Sequence, residues 1–144
     1  NPRRYRSLAP AEQSAVVFGA SGGIGAALVR QLAASGQYAA IYAGARGALE
    51  DAPASVSTFR FDLTDEASIA AAAAAIVCPP ALVIVATGVL HDSNRSIAPE
   101  KSWRALDGAT MAQVLAINTI GPALIAKHLL PRLPLAIKAL KHEA

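Results

Sequence analysis

The chain has 144 residues, a formal net charge of +3, 53% hydrophobic residues and 16% charged ones. That balance suits one domain with a buried core and excludes intrinsic disorder. The lone cysteine, Cys78, excludes an internal disulfide and suits a reducing compartment; it precedes Pro79-Pro80 with no histidine near it, so it is read as inert.

Residues 1–14 are polar and basic, with Arg3, Arg4 and Arg6, and read as a leader onto the first strand. No basic stripe interleaved with aromatics follows them, which argues against a nucleic-acid-binding domain. Ala15–Phe18 is a short, wholly apolar strand of the kind found in parallel sheets covered on both faces. Gly19-Ala20-Ser21-Gly22-Gly23-Ile24-Gly25 comes next, then a helical pattern with Ile24, Leu28 and Leu32 on one face and Gly36 as its stop. A strand, a glycine turn and a helix in that order make a phosphate-binding corner: bare backbone approaches the anion, and the positive end of the helix favours it. The spacing fails the Gly-x-Gly-x-x-Gly test because position 28 is Leu, and it fails the P-loop test because no Lys-Ser/Thr follows.

Ala39–Tyr42 is the second strand, ending at Ala43-Gly44-Ala45-Arg46. A dinucleotide fold selects its cofactor about 20 residues beyond the glycines, where a carboxylate binds the ribose hydroxyls of NAD. Positions 43–45 hold no Asp or Glu, and Arg46 can pair with a 2′-phosphate, so NADP is favoured over NAD; the plainer reading has Arg46 in solvent. Val56–Phe61 alternates with period two and is the third strand. Thr64 is the expected N-cap of a helix from Asp65 to Val77 that stops before Pro79-Pro80. Asp62 either caps that turn or accepts from an adenine amino group.

Ala81–Ala86, the most apolar strand, is expected at the centre of the sheet, with Thr87-Gly88 at its ligand-facing end. Residues 89–109 read as a loop that shapes a substrate mouth or merely covers the surface. His91 has no partner at metal-ligand spacing, so no metal site is expected. A long helix is expected from about Thr110 to Leu130, capped by Asp107 or Thr110. Pro122 has no N–H to bond the Asn118 carbonyl, so the helix should bend there. That carbonyl then either holds an ordered water or marks a plain kink. No apolar run of membrane-spanning length and no signal peptide is visible, so a soluble, cytoplasmic protein is expected.

Together these residues resemble the short-chain dehydrogenase/reductase family. The matching elements are Gly19–Gly25, Asp62-Leu63-Thr64-Asp65, Ala86-Thr87-Gly88 and Asn118-Thr119-Ile120-Gly121-Pro122, in family order and spacing from about residue 14 to Leu133. The run Asn118–Leu133 resembles in particular the subgroup like the C-factor cell-signalling protein. The resemblance implies an α/β fold with a doubly wound parallel sheet, the Rossmann fold, over residues 15–134. To the cofactor contacts read from the glycine corner (Gly19, Ser21, Gly22, Gly23, Ile24 and Gly25) and from Arg46, it adds Asp62 and Leu63 beside adenine and Ala86, Thr87 and Gly88 by the ribose. It also implies that Asn118 is the first member of an Asn-Ser-Tyr-Lys tetrad, its backbone carbonyl holding a water in the proton relay. The chain departs from the family pattern at Phe18, usually Thr, and at Ala86-Thr87-Gly88, more commonly Asn-Ala-Gly.

The family's catalytic Ser and Tyr-x-x-x-Lys should follow Asn118 by some tens of residues. No Ser follows Ser102, and none of Tyr5, Tyr38 and Tyr42 has Lys four positions on. Leu135–Ala144 reads as a lysine-rich helix resembling the one that follows Tyr-x-x-x-Lys. An active-site stretch is therefore expected to be missing between about Leu133 and Leu135, the flanking segments not being adjacent in the intact polypeptide. The expected function is NADP-dependent hydride transfer between nicotinamide and a small-molecule carbonyl or alcohol, in a homo-oligomer (dimer or tetramer) that engages no nucleic acid or membrane. The alternative is a non-catalytic dinucleotide-binding or signalling module.

Overall fold

The computed structural model describes residues 10–92 and 97–134. Its centre is strand β1, Ser14–Phe18, in a four-stranded parallel sheet ordered β3-β2-β1-β4, with β2 Ala40–Ala45, β3 Val56–Arg60 and β4 Pro80–Val85. Ala15, Val16, Val17 and Phe18 are wholly buried, because β1 is paired on both edges and covered on both faces. Side chains of a strand alternate between faces. Val17 faces helix α1, Gly23–Ser35, where Val29, Ile41, Ala43 and Val56 complete a core. Val16 and Phe18 face the opposite layer, built from helix α2, Glu66–Ala75, and a long helix ending in α4, Gly121–Leu129. There Ile69, Ala72, Ala73, Ile76, Ile125 and Leu129 pack on the sheet, and the rings of Phe59 and Phe61 meet Phe18 edge-on at 5.2 and 4.9 Å. Helices on both faces of a parallel sheet make the doubly wound, Rossmann-type arrangement expected from the sequence.

Several boundaries differ from those read in the sequence. Strand β2 runs on through Gly44 to Ala45, because Phe59 occupies the space where a Cβ at Gly44 would fall, 2.3 Å from the ring. Helix α2 is capped by Asp65 rather than Thr64: Asp65 Oδ1 accepts the Ala67 N–H at 3.0 Å, while the Thr64 hydroxyl donates to Asp62 at 2.6 Å. It ends at Ala75, where the Arg132 guanidinium donates to the carbonyls of Ala73 and Ile76 and completes its C-terminus.

Among the described residues β4 pairs with β1. The long helix runs from Gly108 to Arg132, with α3 (Gly108–Leu115) capped by Asp107 as expected. It is long and apolar enough by length and composition to cross a membrane, which corrects the reading that no such run exists. In the fold, Ile117, Ile125 and Leu129 are buried, while Met111, Leu115, Ile120 and Leu130 are exposed. The expectations for the basic leader as far as residue 9, and for the lysine-rich segment 135–144 with its missing stretch, lie outside the described residues.

Candidate functional site

The carboxyl ends of β1, β2 and β4 converge on one cleft of about 490 Å³. At its floor the chain leaves β1 and turns at Gly19, whose φ is +91°. The N–H groups of Gly19 and Ala20 both donate to the Gly44 carbonyl at 2.9 Å, and the Ala86 N–H donates to the Phe18 carbonyl at 2.8 Å. The turn is thus tied to β2 while β4 stays paired with β1 to its end. A Cβ at Gly19 would lie 2.6 Å from the Ala86 carbonyl oxygen, so no side chain is accommodated there. Gly22 is the N-cap of α1 and has no side chain to satisfy the helix start. The first N–H groups of any α-helix lack intrahelical acceptors, so this end of α1 is suited to an anion.

Of the residues named from the sequence, Gly19, Ser21, Gly22, Arg46, Asp62, Leu63, Ala86, Thr87 and Gly88 all line this cleft. Gly23, Ile24 and Gly25 do not. Ile24 is 77% exposed, and Gly25 lies beneath the turn, where a Cβ would fall 2.1 Å from the Gly19 carbonyl oxygen. Gly25 therefore lets the helix back onto the turn rather than forming the cleft wall. Asp62 is engaged as a turn cap, its Oδ1 accepting from the Thr64 N–H at 2.8 Å and the Thr64 hydroxyl at 2.6 Å. The Thr87 Oγ1 is buried and has no hydrogen-bonding partner among the described residues.

Asn118 does not line the cleft; it holds one wall. Its Oδ1 accepts from the Val89 N–H at 2.7 Å and its Nδ2 donates to the Val89 carbonyl at 2.8 Å. It does so from a π-helical turn, Ala116–Ile120, in which the Gly121 N–H reaches back to the Ala116 carbonyl. This widened turn lies immediately before Pro122, the position where a bend was expected from the missing N–H. Beyond Val89, His91 and Asp92 continue the wall, and Asp92 exchanges two backbone bonds of 2.9 Å with the buried Ile97. Val89, His91, Asp92 and Ile117 were not named as site residues from the sequence. For Val89, His91 and Asp92 the signal was position alone, since they follow the strand end that carries Thr87-Gly88; Ile117 reaches the cleft from the π-helical turn and had no such signal. Among the described residues no group of histidine, cysteine and carboxylate side chains is placed to hold a metal ion.

A family model described as short chain dehydrogenase matches residues 13–139. Cis-4-hydroxycyclohexanecarboxylate dehydrogenase of Sinomonas cyclohexanicum is 38% identical over 126 residues, covering 83% of this chain and 49% of that one. The NADPH-bound carbonyl reductase from chicken fatty liver superposes with a TM-score of 0.72 at 25% identity, over 92% of this chain and 55% of that one. The NADH-dependent reductase A1-R′ complexed with NAD superposes with a TM-score of 0.71 at 18% identity, over 92% and 56%, a likeness of fold. The chain thus spans about half the length of the relatives it matches.

Proposed function

Because this chain belongs to the short chain dehydrogenase family, we propose that it is an NAD(P)-dependent oxidoreductase acting on a small-molecule carbonyl or alcohol. The observation that carries this reading is the glycine turn. Gly19 sits at positive φ against the Ala86 carbonyl, in a cleft walled by Gly22, Arg46 and Thr87. A tight glycine turn at the cleft, beside a helix start with no side-chain cap, suits the pyrophosphate of a dinucleotide. When bound, the nicotinamide supplies the hydride chemistry; the protein supplies binding, orientation and electrostatics.

In this reading the turn at Gly19, Ser21 and Gly22 receives the pyrophosphate, with Gly23, Ile24 and Gly25 continuing the helix start behind it. Asp62 and Leu63 lie toward adenine, and Ala86, Thr87 and Gly88 toward the second ribose. Asn118 serves the proton relay through its backbone carbonyl, and its side chain holds the wall at Val89. NADP is the favoured cofactor. Arg46 stands on the cleft wall at the end of β2, and its neighbour there, Ala45, offers no carboxylate to repel a 2′-phosphate. The relatives carry either cofactor, NADPH in the carbonyl reductase and NAD in the reductase A1-R′.

We further read the dinucleotide-binding domain as starting with β1 at Ser14, one residue before the boundary read from the sequence, and running to residue 134, with the residues before it a leader and 135–144 a further segment of it. The run Asn118–Leu133 supports the C-factor-like subgroup, the exposed apolar side chains of the long helix support a homo-oligomer, and the family supports a cytoplasmic location. The test is calorimetric titration with NADP⁺ and NAD⁺, followed by NADPH oxidation across a panel of carbonyl compounds. Saturable binding with carbonyl-dependent oxidation is expected; no binding of either dinucleotide overturns the reading.

A further inference from the structure

We propose that Gly121 is a positioning residue for the adenine seat of the cleft: carrying no side chain, it lets Leu63 lie back against the long helix and so sets the depth left for the base. This deepens the proposed function and rests on it. On the long helix Ile117, Gly121, Ile125 and Leu129 are buried at a spacing of four. Three of these positions carry a large aliphatic side chain, and at 121 there is only hydrogen. Glycine is among the poorest residues inside a helix. The φ and ψ of Gly121, −56° and −52°, are right-handed helical, so no left-handed turn calls for it.

Leu63 occupies the gap. A Cβ at Gly121 would lie 2.6 Å from Leu63 Cδ2, 2.7 Å from its Cβ and 3.0 Å from its Cγ. Rotating the side chain relieves the contact to Cδ2 but not the one to Cβ, so a methyl group at 121 must displace the backbone at 63. That backbone belongs to a braced turn. The Thr64 N–H donates to Asp62 Oδ1 at 2.8 Å, the Asp65 N–H to the Asp62 carbonyl at 3.1 Å, and the Asp62 N–H to the Ser68 hydroxyl at 2.8 Å. The turn therefore moves as a unit.

The open side is the cleft. Leu63 lines it together with Asp62 and Ile117, and elsewhere packs against the buried core that contains Phe61, Ile69 and Ile125. The long helix is not free to back away from Leu63, because α2 is fastened to it at both ends. Glu66 meets Lys127 and His128 at 2.6 and 3.0 Å, and Arg132 donates to the Ala73 and Ile76 carbonyls. A side chain at 121 therefore drives Leu63 into the space assigned to the adenine.

The experiment compares wild type, Gly121→Ala, Leu63→Gly and the double variant by calorimetric titration with 2′,5′-ADP, the adenosine part of NADP⁺; ADP replaces it if NAD⁺ is the tighter cofactor. Gly121→Ala is expected to weaken binding about tenfold, the order that overpacking by one methyl group gives. With Leu63→Gly already present, the same change should stay within about twofold, because the atoms it strikes are gone. Pro122 disfavours a helical residue with a Cβ before it, and that backbone effect acts equally in both backgrounds. Equal weakening in both would therefore overturn the proposal, as would unchanged affinity in Gly121→Ala. Coupling seen in melting temperature but not in affinity would also overturn it and give Gly121 a purely structural role. If Gly121→Ala fails to fold, hydrogen exchange of the wild type decides: 2′,5′-ADP should slow exchange at residues 116–121 as well as at 62–65, and no change at 116–121 overturns the proposal. Absence of both fragment and dinucleotide binding by wild type removes the function itself; binding that Gly121→Ala leaves intact removes only this role of Gly121.

Discussion

The carboxamide of Asn118 brackets the backbone of Val89, accepting its N–H at 2.7 Å and donating to its carbonyl at 2.8 Å. A carboxamide does both at once, since it carries an acceptor and a donor side by side. The bracket fastens the long helix to the segment that carries Thr87, Gly88 and His91 along the cleft. Asn118→Ala should cost about 1–2 kcal/mol in urea unfolding. Asn118→Asp should cost more than Asn118→Ala, because a carboxylate oxygen then faces the Val89 carbonyl. Equal stability of all three proteins would contradict the bracket.

Two glycines have positive φ, and they should respond differently to alanine. Gly19 has φ +91° and a Cβ there would strike the Ala86 carbonyl, whereas Gly36, at φ +60° after α1, has open space around it. Gly36→Ala carries only the left-handed penalty of about 1–2 kcal/mol. Gly19→Ala adds a clash that must part β1 from β4, and should lose more than twice as much stability together with dinucleotide binding. Thermal melting of the two variants checks the difference.

Arg46 should set cofactor preference. Arg46→Ala is expected to weaken NADP⁺ about tenfold or more while leaving NAD⁺ within about twofold, as lost charge-assisted bonds to a phosphate require. Arg46→Asp should reverse the preference. Calorimetry with both dinucleotides reads this directly, and equal loss of both would place Arg46 outside the ligand's reach.

Glu66 joins α2 to α4, its Oε1 meeting Lys127 Nζ at 2.6 Å and His128 Nε2 at 3.0 Å. The hydrogen bond from Lys127, then that from His128, holds its carboxyl below the usual carboxylate range. A lowered folded-state pKa adds stability that is present above the unfolded value and is lost as pH falls through the folded one. Melting temperature should therefore fall on acidification through that window, and less steeply in Glu66→Gln. The group is solvent-exposed, so added salt should shrink the difference.

Arg132 satisfies the last carbonyls of α2 at Ala73 and Ile76. Arg132→Ala should lower stability by about 1–2 kcal/mol. Hydrogen exchange should quicken at the C-terminal turn of α2 before it quickens in β1.

What the sequence determined by itself was local. Apolar runs, the glycines at 19 and 25, Pro122 and Asp107 each act on the backbone within a few residues, so strands, the turn, the helix cap and the helix distortion were all legible. The convergence of Gly19, Arg46, Asp62 and Thr87 was legible too, because parallel strands bring their carboxyl ends to one edge. Other features belonged to tertiary structure. Apolar content in a parallel strand reports covered faces, not neighbours, so the order β3-β2-β1-β4 came from the structure alone. Gly44 looked like a strand end until Phe59 was seen to fill its missing side chain. The bracket of Asn118 on Val89 joins groups 29 residues apart, and the unpartnered Thr87 hydroxyl shows only once its neighbours are in place. Contacts of this kind depend on packing distances that no local pattern encodes.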